Sequence, residues 1–166
     1  AHPKTFAGHE KQIKDYECGE DSDHYCYHFA PQELEEGSGA AHPLNTNLKG
    51  KWRRTMVDFC VFPNHLVTLM PDYLWWVSVM PNGVGSFKAT WGVAVPQEIL
   101  NDIAEEDYER WVKEKIDYMN TANEEDRVLV ERLFKGSQSI RVPQGTYHPI
   151  EKNLWQFMKY LFKITA

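Results

Sequence analysis

The sequence has little positive charge, few cysteines and no long apolar run. Its 18 lysines and arginines are outnumbered by 24 acidic residues, which gives a formal net charge of −6. Nucleic acids and anionic membranes bind basic protein surfaces, so we expect neither as a partner. No apolar segment reaches the length of a membrane-spanning helix.

The cysteines and the N-terminal residues bear on the cellular compartment. Three cysteines are an odd number and do not suggest the disulfide framework of a small secreted domain. The first four residues, Ala1 to Lys4, lack the apolar segment of a signal peptide. We therefore expect a cytoplasmic protein with reduced thiols.

Aromatic residues are abundant, at 13% of the chain with six tryptophans, enough to line an apolar pocket. The length of 166 residues fits one domain. Residues 1 to about 50 are polar and irregular, with a short strand expected at 23–29 and a surface excursion at 31–50. The next stretch reads as a sheet of four strands joined by short Pro- and Asn-containing turns, at 55–62, 66–70, 73–80 and 87–95.

Short turns between successive strands predict an antiparallel meander. After residue 97, apolar residues keep helical spacing from Tyr108 to Met119 and again from Leu129 to Phe134. A last helix is expected to begin at His148-Pro149. Strands followed by helices predict an α+β domain, in which an antiparallel sheet carries the C-terminal helices on one face.

Asp126 is a candidate functional carboxylate. The residues three, four, seven and eight positions after it are all apolar: Leu129, Val130, Leu133 and Phe134. Asp126 is therefore expected to begin the apolar face and to need a cation, a metal or hydrogen-bond donors. Alternatively, residues 123–126 form only the acidic first turn of a helix. Glu125 lies on a more mixed face, with Arg132 seven residues on.

Cys26-Tyr27-His28 has the C-x-H form of half a Rieske site, but the C-x-x-H half is missing. A zinc site from Cys18, Cys26 and nearby histidines is an alternative, although the spacing fits no compact finger. We expect instead a strand with scattered polar residues.

Glu151 is expected to stabilise the first turn of the last helix. His2, taken alone, is expected to be solvated.

Five segments occur in the order typical of one enzyme family. They are His2-Pro3-Lys4-Thr5-Phe6, Val61-Phe62-Pro63-Asn64, the hairpin from Pro71 to Gly83, Asn123-Glu124-Glu125-Asp126 with Glu131 and Gly136, and Glu151 with Trp155 and Phe157. The chain thereby resembles the catalytic domain of the large subunit of Rieske-type, aromatic-ring-hydroxylating oxygenases. Phe134 departs from the family pattern, which often has Gln there.

The resemblance implies a mononuclear ferrous iron held by two histidines and one carboxylate. His2 corresponds to the second histidine and Asp126 to the carboxylate, with Glu125 as the fallback. The first histidine and the Rieske domain with its 2Fe–2S cluster are expected before Ala1. Residues 1–166 would then be one catalytic-domain fragment, inactive by itself.

The implied reaction uses dioxygen to hydroxylate an aromatic ring or to demethylate a small organic substrate oxidatively. Electrons would come from a ferredoxin or reductase, and the assembly would be a homotrimer or α3β3. The implied fold is a START-like helix grip with an apolar cavity between the sheet and the helices. Strand residues expected to line it are Phe59, Trp75, Val77, Trp91 and Val93, of which alternation places only about half inward. The alternative function is a non-catalytic START-like carrier of an apolar ligand.

Overall fold

The computed structural model describes residues 17–31, 41–141 and 145–166. The chain is an α+β protein with a six-stranded antiparallel sheet and C-terminal helices. The strands are β1 (Glu17–Cys18), β2 (Tyr25–Pro31), β3 (Thr55–Val61), β4 (His65–Leu69), β5 (Leu74–Pro81) and β6 (Phe87–Ala94). The helices are α1 (Gln97–Leu100), α2 (Glu105–Ser137) and α3 (Lys152–Thr165).

The sheet is a meander in which each strand pairs with the next along the chain, from β1 to β6. The predicted meander is therefore confirmed, and β1 and β2 extend it. The tight β5–β6 connection places Gly83 and Gly85 at φ values of 81° and 87°, in a region that favours glycine. All pairs are antiparallel, and short turns connect the strands from β3 to β5.

The segment before β3 follows an irregular path that one side chain holds in place. Residues 32–40 of the predicted surface excursion lie outside the described residues. In the part that follows, the guanidinium group of Arg53 donates hydrogen bonds of 2.6 Å to the carbonyl of Asn45 and 2.8 Å to that of Ala41. A 3₁₀-helix, Gly50–Arg54, then leads into β3.

Helix α3 packs on one face of the sheet at the β2–β3 end. The ring of Phe62, just after β3, lies 5.5 Å from that of Phe157 and 5.2 Å from that of Tyr160. Phe62 and Cys26 are among the most buried apolar residues, and Gln156 of α3 is buried beside them. The core of the sheet unit therefore sits where α3 meets β2 and β3.

A capping arrangement starts α3. Pro149 opens a 3₁₀-helix, Pro149–Glu151, as the first helical residue. The backbone N–H of His148 donates to Glu151 Oε2 at 2.7 Å, and that of Ile150 donates to His148 Nδ1 at 3.3 Å. The structural role predicted for Glu151 is confirmed.

The described residues form two compact units, with α2 in one and the sheet, α1 and α3 in the other. Helix α2 runs without interruption because neither Gly nor Pro occurs in it before Gly136. No helix in the described part of the chain combines the length and the apolar character that crossing a bilayer requires.

Candidate metal and substrate sites

Asp126 lies well inside α2, and the acidic residues of the first turn are instead Glu105, Glu106 and Asp107. The alternative that residues 123–126 begin a helix is therefore wrong. The sequence favoured that alternative because the apolar spacing weakens around Asn120 to Asn123, although the backbone remains helical there.

The most buried residues of α2 lie just before Asp126 in the sequence. Met119 and Ala122 are each only 6% exposed, and Asp126 is half-buried one turn later. The predicted burial beyond Asp126 is wrong in this chain for Val130, Leu133 and Phe134, which are 41%, 62% and 45% exposed. Apolar periodicity identifies a face that is able to be buried, and burial itself depends on what packs there.

The exposed acidic neighbours of Asp126 are held by one arginine. Arg127 pairs with Glu124 at 2.5 Å and with Glu131 at 2.6 Å, at the i,i+3 and i,i+4 spacings of surface ion pairs. Hydrogen bonding to Arg127 lowers the pKa of the exposed Glu124 carboxyl. These two glutamates stabilise the outer face of α2, so the candidates that remain on the inner side are Glu125 and Asp126.

The inner side of α2 around Asp126 is polar. The amide nitrogen of Asn123, one turn before Asp126, is buried and has no hydrogen-bond partner among the described residues. On the adjoining face, burial raises the pKa of Tyr118, and the charge of Glu125 raises it further. This amide nitrogen can only donate, so it calls for a hydrogen-bond acceptor rather than a cation.

The donor chemistry of Asp126 fits a divalent iron site that also takes histidine nitrogen. The described residues contain no group of three or more His, Cys, Asp or Glu side chains able to hold a metal. His2, the other predicted ligand, lies outside the described residues. The structure therefore describes one of the two predicted ligands, Asp126, and its role as a ligand stays a prediction.

The register of the sheet sorts the five predicted pocket residues into two faces. Trp75 lies opposite Val93, and Val77 lies opposite Trp91, so these four side chains share one face. Phe59 lies opposite Tyr27, and its ring stacks on that of Tyr25 at 5.3 Å. Phe59 is on the other face of the sheet, in keeping with the expectation that alternation places only some of the five on one face.

The face with Trp75 also holds a polar cluster that the sequence did not indicate, although His28 was noted as part of the C-x-H segment. His28 lies opposite Asp58, and Asp58 lies opposite Thr68. His28 Nε2 is 2.8 Å from Asp58 Oδ2, and Thr68 Oγ1 donates to Asp58 Oδ1 at 2.6 Å. These residues are distant in sequence and only the strand register brings them together, so no local motif signals the cluster.

The C-x-H segment forms part of this sheet. Cys26 lies opposite Cys60, and hydrogen bonding to Cys60 together with burial raises the pKa of the Cys26 thiol. Both ring nitrogens of His28 are engaged, because Asn153 of α3 donates to Nδ1 at 2.7 Å while Nε2 contacts Asp58. The predicted strand with polar residues is confirmed at β2.

A cleft of about 370 Å³ lies at the turn between β1 and β2. Its lining is charged and polar and consists of Asp21, Ser22, Asp23, His24 and Lys159. An apolar ring gains little there because binding would desolvate charged groups without pairing them. The sheet face with Trp75 suits such a ligand better.

The chain matches the family model described as the ring hydroxylating alpha subunit (catalytic domain), over residues 2–166. It belongs to this family. No curated protein matches the chain. Because the match covers almost every residue, the α+β architecture above is that of a ring-hydroxylating alpha subunit catalytic domain. Membership supports an oxygenase that acts on aromatic rings.

Proposed function

We propose that this chain is the iron-bearing catalytic part of an oxygenase that uses mononuclear non-haem iron and dioxygen. The reaction is hydroxylation of an aromatic ring or oxidative demethylation of a small organic substrate. The observation that carries the proposal is the family match over residues 2–166. The match does not favour the non-catalytic carrier, because the matching family is named for ring hydroxylation.

Asp126 is the proposed carboxylate ligand and His2 one of the two proposed histidine ligands, with Glu125 as the fallback for the carboxylate. The half-buried position of Asp126 on α2 supports this role. Ferrous iron held by two histidines and a carboxylate keeps open positions for dioxygen and supplies the oxidising chemistry when bound.

The proposed substrate surface is the sheet face formed by Trp75, Val77, Trp91 and Val93. Two indoles and two branched aliphatic side chains provide an apolar, water-poor surface for a planar ring. These side chains belong to paired strands, whose hydrogen bonds hold them in fixed relative positions. They therefore bind and orient the ring, and they exclude water from its faces.

The electron donor proposed for the whole enzyme is a ferredoxin or reductase acting through a Rieske 2Fe–2S cluster in a separate domain. The proposed assembly is a homotrimer or α3β3 in the cytoplasm. These proposals rest on the family, whose alpha subunits take part in electron transfer.

Isotopically labelled dioxygen tests the proposed reaction directly. The full-length protein, supplied with reductant and an electron-transfer system, is incubated with a panel of aromatic and methoxylated compounds. For ring hydroxylation we expect labelled oxygen in the hydroxylated ring, with one labelled atom for monooxygenation and two for dioxygenation. For demethylation we expect an unlabelled phenol together with formaldehyde that carries the labelled atom. Oxygen consumption that no aromatic compound stimulates, with no labelled product, would contradict the proposal.

A further inference from the structure

One straight row of residues crosses five strands of the sheet on a single face. From β2 to β6 its members lie opposite one another in sequence: His28, Asp58, Thr68, Trp75 and Val93. Directly opposite residues of antiparallel strands point to the same side. The row therefore joins the His28–Asp58 pair to the proposed substrate surface at Trp75.

The first part of the row is satisfied by its own hydrogen bonds. Asp58 accepts from Thr68 Oγ1 at 2.6 Å and from His28 Nε2 at 2.8 Å, one donor on each carboxylate oxygen. Two donors offset the cost of holding this carboxylate, which is 30% exposed, on a sheet face. Asn153 Nδ2 fixes the imidazole from its far side at 2.7 Å.

The fourth member of the row, Trp75, lacks such a partner within the part of the chain that the structure describes. Its Nε1–H is buried and has no hydrogen-bond partner among the described residues. A buried donor left unpaired costs about 1–3 kcal/mol of stability. Such a group in a folded protein therefore needs a functional or structural explanation. The nearest row on the same face offers no strong acceptor, since its members on β4, β5 and β6 are Leu66, Val77 and Trp91.

An indole Nε1–H only donates, so its partner must be an acceptor. Apart from Thr68, whose hydroxyl donates to Asp58, its neighbours on this face are apolar, namely Val77 and Val93, so a ligand that lies on them must itself be largely apolar. The requirement is met by an aromatic ring that carries an oxygen acceptor, such as a carboxylate or an ether. A plain hydrocarbon ring leaves the donor unpaired and gains nothing from it.

We propose that Trp75 determines substrate specificity by donating a hydrogen bond to an oxygen acceptor on the aromatic substrate. This inference rests on the proposed function and names the substrate class of the same surface. The His28–Asp58–Thr68 network holds the neighbouring strands in register. Trp75 recognises the oxygen substituent of the substrate through its Nε1–H. Trp75 is thus a specificity residue that contacts the substrate.

Equilibrium binding of three probes to the full-length protein tests the proposal. Benzoate carries an anionic acceptor, anisole a neutral one, and toluene none. We expect Trp75→Phe to weaken binding of at least one oxygen-bearing probe roughly three- to tenfold relative to toluene, the worth of one hydrogen bond. Weaker binding of benzoate alone indicates an anionic acceptor, and weaker binding of anisole alone indicates a neutral one. Weaker binding of both indicates that Trp75 recognises either kind.

Trp91→Phe is the matched control because Trp91 lies on the same face and loses the same indole area. It is expected to change the affinities for all three probes by the same factor. Circular dichroism and thermal unfolding establish that both variants are folded. Equal effects of Trp75→Phe on the three probes overturn the inference, as does a wild-type protein that gains no affinity from the oxygen substituent or binds none of the probes.

Binding is measured without turnover, so the result is independent of the reaction itself. A protein that binds benzoate or anisole through Trp75 but incorporates no oxygen upholds the specificity role and contradicts the proposed oxygenation. A protein that hydroxylates rings but shows no selective loss in Trp75→Phe upholds the proposed function and contradicts this inference.

Discussion

Two glycines, one just after β1 and one in β6, lie directly beneath aromatic rings. Gly19 lies under the ring of Tyr27, and Gly92 on β6 lies under the indole of Trp76. A Cβ atom added to Gly92 would lie 2.8–2.9 Å from three atoms of that indole, closer than van der Waals contact permits. At each site the ring covers backbone that a side chain would otherwise shield.

Replacing Gly92 with Ala is expected to lower the free energy of unfolding by roughly 1–3 kcal/mol, because Trp76 must move to admit the methyl group. Urea unfolding followed by circular dichroism measures the change. Gly136→Ala is the control, since nothing lies within 4 Å of a Cβ there and α2 is expected to gain up to about 1 kcal/mol. Equal stability of the two variants would show that the Trp76 contact is not restrictive.

Single residues differ in how far the sequence predicts their surroundings. Asp126 was predicted to point inward from its helical spacing, and it is half-buried, but its downstream neighbours are exposed. Alternation alone did not place Phe59 and Trp75 on opposite faces. That distinction depends on strand register, which arises from contacts between distant segments.

At the scale of elements, α3 is tied to the turn between β1 and β2 by charged side chains. Lys152 lies 3.2 Å and Lys159 3.5 Å from Asp21, and Lys163 donates to Asp23 at 2.6 Å. The lysines follow one another along α3 at helical spacing, so one side of the helix meets both carboxylates. These ion pairs join residues far apart in the sequence.

This contact predicts a specific loss of stability in acid. Hydrogen bonds from Lys152 to Asp21 and from Lys163 to Asp23 lower both carboxyl pKa values below the ordinary 3.8. A lowered folded-state pKa stabilises the protein above the unfolded value, and that contribution is lost as the pH falls through the folded values. We therefore expect stability to decline below about pH 4 and the Asp21→Asn/Asp23→Asn variant to decline less steeply.

Unfolding in urea at successive pH values from 6 to about 2 measures this dependence. Asp117→Asn serves as the control, because Asp117 pairs with Lys113 within α2 and, among the described residues, forms no ion pair with another element. If the stability of the double variant falls with pH as steeply as that of the wild-type protein, the lysine contacts are not the source of the acid sensitivity.

Element types were predicted better than element boundaries. The four predicted strands of the meander correspond to β3 to β6 within about a residue at most ends, because turn residues bound each of them. The region from Glu105 to Ser137 was predicted as two helical stretches and is one helix. Polar residues near its centre interrupt the apolar pattern without interrupting backbone hydrogen bonding.

At the scale of the whole molecule, the order of weak motifs was more informative than any one of them. The α+β class followed from strands preceding helices, and the family resemblance is confirmed by a match over residues 2–166. The hydrogen-bonded row on the sheet was not predictable, since it joins one residue from each of several strands with Asn153 of α3. Such a cluster exists only in the folded chain.

We propose that Asp126 is the carboxylate ligand of a mononuclear iron, and the iron content of the protein tests this role most directly. The full-length protein and its variants are purified with ferrous iron, and metal per chain is measured by mass spectrometry, with iron in any cluster determined separately. We expect Asp126→Ala to retain less than about a tenth of the mononuclear iron, since even groups that only support ligands cost 10- to 100-fold in affinity. Glu124→Ala, which removes an exposed partner of Arg127, is expected to retain the mononuclear iron.

Full iron content in folded Asp126→Ala would contradict the assignment of Asp126 as the iron ligand. Loss of iron in Glu125→Gln instead would assign the ligand to Glu125.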